Sequence, residues 1–255
     1  MLQAHSLLWH YLWVAPNILL LVFGFVLWKR GFVKQFPVFV AFACFSAVGE
    51  LTVYCADVIP SIGPWTYWRV EWASLLVTGL LKFVLVSEIF ARVFGPYASV
   101  AKLGKVLIRA IGVALVFTAA VLAAYASPNS RFGIISGSNL LSQAIYLIES
   151  GLLVFIFFFA FYFRLTWQRA LFGIALGLSV SSCIHLATFA LIASGGVHER
   201  ERLLFTFLNM TTYHLCVLIW MYFLLVPSKA ATKPVPLPEH NLEVWNRELE
   251  RLLQQ

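Results

Sequence analysis

The sequence predicts an all-α membrane protein, a bundle of seven transmembrane helices. Three observations carry this. Of the 255 residues, 61% are hydrophobic and 11% charged, whereas a soluble domain carries about a quarter charged residues. Seven apolar stretches reach the roughly 20 residues that a bilayer crossing requires. Basic residues cluster in alternate loops between those stretches, the pattern that sets orientation in a membrane. A chain this apolar cannot clothe a water-facing surface, so soluble enzymes are excluded. The net charge of +7 is read as a topology signal and not as affinity for nucleic acid. Membrane lipid is the partner expected for the outer surface.

The first span is Leu12–Trp28. No Lys or Arg precedes it and no small-residue cleavage site follows, so it is expected to remain as a span. Phe36–Val58 is the second and Trp72–Phe94 the third. Trp65, Tyr67, Trp68 and Trp72 crowd the start of the third and read as an aromatic belt. The fourth, Val106–Ala124, holds Arg109 near its inner end and otherwise only Thr118 as a polar group. It is expected at the periphery. Leu140–Phe163, Leu171–Ala193 and Leu203–Val226 complete the set. Helices are the choice because segments this long must satisfy their own backbone in lipid.

Lys29, Arg30 and Lys34 follow the first span, and Arg92, Lys102, Lys105 and Arg109 the third. Arg164 and Arg169 follow the fifth, and Lys229 and Lys233 the seventh. The expected N-terminus is therefore outside and the C-terminus cytoplasmic. Short loops, without an Asn-x-Ser/Thr site on the outer side, fit a bacterial inner membrane. Cys44, Cys55, Cys183 and Cys216 form no CxxC or disulfide framework and read as small packing residues. Laying the last three spans on the first three aligns SAVGELTVY with SSCIHLATF and lays Arg69 near Arg202. This is a weak three-plus-one-plus-three pseudo-repeat, a plan that occurs in small transporters.

Residues 1–227 thus form the transmembrane domain and residues 228–255 a cytoplasmic tail. Pro234, Pro236 and Pro238 favour an extended linker. Beyond it, Leu242, Trp245, Leu249 and Leu252 fall on one stripe of an amphipathic helix. That stripe is the docking face expected for a cytoplasmic protein partner.

Glu50, Lys82, Glu149, His185 and His214 lie inside the apolar spans. Ionisable groups there are expensive and mark function by default. Counted from the outer ends at about 1.5 Å per residue, they fall roughly 12–16 Å deep. Five helices therefore bring one group each to a similar level. Ser46, Glu50 and Tyr54 share a helix face; so do Glu71, Thr78 and Lys82, and so do Asn139, Ser142, Tyr146 and Glu149. Gly173, Gly177, Ser181 and His185 repeat every four residues, which permits close helix approach. Thr211 and His214 share a face of the seventh span, and Asn209 lies on the neighbouring one. The expected ligand- or proton-binding set is Glu50, Glu71, Lys82, Glu149, His185, Asn209 and His214, around an outward-facing polar cavity.

No residue is assigned as catalytic. Glu50, Glu149, His185 and His214 are a sound donor set for zinc or non-haem iron. No HxxxH, HExxH or ExxH spacing fixes two of them on one helix, and Lys82 would put a positive charge beside the ion. Lys82 is also expected to pair with Glu50 or Glu149. Glu88 precedes Arg92 by four residues, the favourable order for a helical ion pair.

Arg69, Glu71-Trp72 and Lys82 give the third span a partial resemblance to microbial rhodopsins, whose counter-ion motif and proton-donor position they match in part. Arg69 stands one residue closer to Glu71 than the family's spacing. The seventh span, LLFTFLNMTTYHLCVLIWMYFLL, contains no Lys to form a Schiff base, so covalently bound retinal is not expected. Seven-helix sugar exporters share the topology, but their paired proline motif is missing. The zinc-dependent seven-helix receptor and ceramidase group carries HxxxH in its last span, where this chain has His214 alone. The resulting expectation is a non-enzymatic, sensory or receptor-like protein that binds a small polar ligand, ion or proton. A solute or proton-coupled transporter and an intramembrane metalloenzyme are the alternatives.

Overall fold

A computed structural model describes residues 5–95, 131–162, 165, 167–193 and 199–226, with single positions 106, 110, 113, 117 and 251. Lipid offers no partner for a bare backbone amide, so an apolar run closes its hydrogen bonds within itself. The described residues follow that rule: their regular structure is helical throughout. In chain order the helices are α1 (Leu7–Lys29), α2 (Phe32–Gln35), α3 (Pro37–Val58), α4 (Pro64–Val93), α5 (Arg131–Tyr162), α6 (Arg169–Ala193) and α7 (Glu199–Leu225). All but α2 are long and apolar enough to cross a membrane. The chain is an α-helical integral membrane protein.

Helix starts follow local chemistry. The Ser6 hydroxyl accepts the Trp9 amide and caps α1. Pro37 and Pro64 open α3 and α4, where a missing N–H costs nothing. Gly31 takes φ +76° at the turn from α1 into α2, a left-handed conformation that suits glycine. Two helices begin well before their apolar stretches. α4 starts at Pro64 and takes Trp65, Tyr67 and Trp68 into its first turns, and α5 starts at Arg131. The fourth stretch, Val106–Ala124, lies outside the described residues except for Val106, Ala110, Val113 and Phe117, which are helical and exposed. The tail 228–255, with its stripe Leu242, Trp245, Leu249 and Leu252, also lies outside them, apart from Arg251.

The six long helices form a closed ring. α1 packs on α3, α3 on α4, α4 on α5, α5 on α6, α6 on α7, and α7 returns to α1. Lipid tails are as apolar as leucine, so helices associate in a bilayer through close packing and polar contacts. Small residues supply the approach. A methyl on Gly173 would strike Phe223 and one on Gly177 would strike Trp220, so α7 rings lie directly on the α6 backbone. The Trp220 indole then donates to the Ile174 carbonyl at 3.3 Å. Gly79 accepts Ile145 in the same way between α4 and α5.

The two ends of the ring differ. Lys29, Arg30, Lys34, Arg92 and Arg169 gather at one end, where Arg30 donates to the Leu225 carbonyl at 3.2 Å. Arg92 binds Glu88 at 2.6 and 3.1 Å, as the spacing predicts, donates to the Gln35 carbonyl, and covers the Phe36 ring. Nearest this basic end the ring is filled by Phe23, Phe36, Phe39, Phe42, Leu85, Ile89 and Trp220, all buried. Toward the other end the packing gives way to a cavity.

Candidate functional site

The cavity has a volume of about 530 Å³, within the usual size of a small-molecule site. It runs from His5, Asp57 and Tyr67 to a floor of Phe42, Leu178 and Trp220. A side cavity of about 210 Å³ adjoins it, and Trp13, Glu50, Tyr67, Glu71, Thr78, Lys82 and Tyr146 line both. A third, apolar groove is walled by Phe157, Phe158, Trp167, Phe172 and their neighbours near the basic end. It lacks charged or amide groups and is a weaker candidate for specific recognition.

Each wall has a local origin. In α4, Glu71, Thr78 and Lys82 project along one face, and Tyr67 stands one turn before Glu71. The Tyr67 hydroxyl lies close to the Glu71 carboxyl. One Glu71 oxygen, Oε2, is buried without a partner. From the neighbouring α5, Glu149 meets Lys82: Lys82 Nζ lies 3.0 Å from Glu149 Oε2. The Glu149 side chain is 1% exposed and that of Lys82 11%. Glu149 Oε1 has no hydrogen-bond partner. The same ammonium stands 4.6 Å from the Tyr146 ring centre, a cation–π contact.

Tyr146 links the pair to α6. Its ring stacks on His185 with centres 4.5 Å apart and planes at 21°. His185 Nδ1 lies 2.8 Å from the Ser181 carbonyl. A carbonyl only accepts, so Nδ1 carries the proton, and in the neutral ring Nε2 is the free acceptor. Beyond it, Thr188 donates to the His185 carbonyl at 2.8 Å and accepts the Asn209 amide at 3.2 Å. This ties α6 to α7.

The α1 wall was not legible as a site. Trp13 Nε1 donates to Glu50 Oε2 at 3.3 Å. Pro16 cannot donate a helical hydrogen bond, and the next residue, Asn17, turns its side-chain amide back to the Trp13 carbonyl at 2.7 Å. The Asn17 oxygen accepts the Tyr213 hydroxyl at 3.0 Å. Asn17 alone, a polar residue in an apolar span one turn after a tryptophan, was the available signal. Trp9 and Trp13 lie edge to face, centres 4.5 Å apart at 84°. Tyr54 packs behind them and is hydrogen-bonded to His10 Nδ1 at 3.0 Å.

The structure therefore brings Glu50, Glu71, Lys82, His185 and Asn209 to one cavity, with Glu149 bound to Lys82 just behind its wall. It does not bring His214 there. His214 lies against Tyr11 of α1 with ring centres 6.0 Å apart, and its Nδ1 is buried without a partner. Among the described residues no three His, Cys, Asp or Glu side chains are grouped so as to hold a metal ion. Glu50, Glu149, His185 and His214 are thus not assembled as a donor set. No protein-family model, curated protein or solved structure matches this chain.

Proposed function

We propose that this protein is a receptor-like membrane protein that binds a small polar ligand, ion or proton within the helix ring. The observation that carries the reading is the cavity itself. Charged and aromatic side chains from all six long helices converge on about 530 Å³ of space, and packing a bundle does not require them. The proposal includes seven spans, an external N-terminus, a bacterial inner membrane location and a cytoplasmic partner docked on the tail. Basic residues gathered at one end support that orientation. The pseudo-repeat gains no separate support from the ring.

Transport is the second reading. A transit path would have to part Phe39, Phe42, Trp220 and the residues beneath them, which are buried and tightly interlocked. A cavity with such a floor supports binding over passage. An intramembrane metalloenzyme lacks a converging donor set among the described residues.

Trp9, Trp13 and Trp220 line the cavity, so tryptophan fluorescence reports its occupancy. The expected result is saturable quenching by a small polar compound with no flux of that compound into reconstituted vesicles. Deleting residues 234–255 leaves binding intact and removes the cellular response. Saturable flux would replace the receptor reading with transport.

A further inference from the structure

The receptor reading leaves the ligand's chemistry open, and the inference here rests on that reading. Consider the charges that face the cavity. Glu50, Asp57 and Glu71 line it, and Lys82 is the one Lys or Arg among its described lining residues. Lys82 is already matched by Glu149 at 3.0 Å. The unmatched formal charge of the lining is negative, and one carboxylate oxygen, Glu71 Oε2, is buried without a partner. Among the described lining residues an anionic ligand would meet three carboxylates and no cation besides the paired Lys82.

The walls narrow the class further. Trp9 and Trp13 stand nearly perpendicular, at 84°, and Tyr67 lines the same space. Aromatic faces attract organic cations through their quadrupoles, and tryptophan is the strongest of them. A bare metal ion instead requires a shell of converging oxygens or nitrogens. The perpendicular indoles, Trp13 hydrogen-bonded to Glu50, share the cavity with Glu71 and so supply both halves of an ammonium site. The carboxylates match the charge, and the rings cover the carbons around it.

We propose that the cavity binds a small organic cation, an alkylammonium or quaternary ammonium compound. Its charged end lies between Trp9, Trp13, Glu50 and Glu71, and its apolar body runs toward Phe42 and Trp220.

The test uses four probes of one skeleton: phenethylammonium, phenethyltrimethylammonium, phenethyl alcohol and phenylacetate. Binding to the full-length protein in nanodiscs is read by tryptophan fluorescence and by thermal shift. Both cations are expected to bind at least tenfold more tightly than the alcohol, with phenylacetate weakest. Glu71→Gln keeps shape and removes charge, and is expected to weaken both cations about 5- to 30-fold while leaving the alcohol unchanged. Trp9→Leu weakens them by a similar factor, as loss of a cation–π partner requires. The quaternary probe binding as tightly as the primary amine assigns the larger share to the rings; the reverse assigns it to the carboxylates. Tighter binding of the alcohol or of phenylacetate overturns the cation proposal and leaves the ligand cavity standing. Binding by none of the four overturns the cation proposal, while the receptor reading is judged separately by the quenching and flux measurements. Cation preference that survives Glu71→Gln and Glu50→Gln together overturns the assigned site.

Discussion

The Lys82–Glu149 pair permits a sharp test of how this interior is held. Lys82→Met takes the 3.0 Å partner from Glu149 Oε2, and Oε1 has none to begin with. The carboxyl, 1% exposed, is then buried with both oxygens unmet. Removing one member of a buried pair costs about 3–5 kcal/mol. At about 2–4 °C per kcal/mol for a chain of this size, Lys82→Met is expected to melt roughly 6–20 °C below the parent. Glu149→Gln is expected to cost less, about 1–3 kcal/mol. Lys82 keeps the Tyr146 ring at 4.6 Å and still faces the cavity. The double variant Lys82→Met/Glu149→Leu strands neither charge and is expected within about 1 kcal/mol of the parent. Thermal unfolding at fixed lipid composition, followed by tryptophan fluorescence, gives all four values. A double variant no more stable than Lys82→Met, or an unchanged Lys82→Met, refutes the claim that desolvated charge governs this layer.

Three further outcomes are expected. Gly177→Ala pushes a methyl into Trp220 and disturbs its bond to Ile174, costing about 1–3 kcal/mol; a melting temperature equal to the parent's would show that the α6–α7 seam has slack. Tyr213→Phe removes the hydroxyl bound to Asn17, worth about 1 kcal/mol, and its cost should disappear in an Asn17→Leu background. Arg92→Ala should destabilise more than Glu88→Ala, because Arg92 also holds the Gln35 carbonyl and covers Phe36; equal losses in a denaturant titration would leave the ion pair as its only role.

The apolar runs marked the long helices because length and hydropathy in lipid leave few alternatives, and α3 and α6 begin within two residues of their apolar stretches. The start of α4 was misplaced for a physical reason. Trp65, Tyr67, Trp68 and Trp72 resemble an interfacial belt in composition, yet Pro64 at N1 lets the helix begin before them. Tyr67 and Glu71 thereby reach the cavity. Ionisable residues inside spans stood out by their cost. The Lys82 partner was narrowed to two acids, and three-dimensional proximity selected Glu149. Trp9, Trp13 and Tyr213 escaped because an aromatic in an apolar helix looks the same whether it faces lipid, core or cavity. His214 was misplaced because sharing a face with Thr211 does not say which neighbour that face meets. Here it meets Tyr11.

Ring closure has a consequence for the order of assembly. The α1–α7 seam joins the earliest and latest of the described helices. The Tyr213–Asn17 and Arg30–Leu225 bonds that stitch it span separations of 196 and 195 residues. Contacts so distant along the chain form only after most of it has been synthesised. Until α7 arrives, Asn17 lacks its hydroxyl donor, the α6 glycines have no rings to receive, and the cavity has neither its Trp220 floor nor its Tyr213 wall. The cavity is thus complete only once α7 has joined the ring. A ligand that requires all its walls binds the finished ring in preference to any earlier intermediate, and adds its binding free energy to the stability of that ring alone.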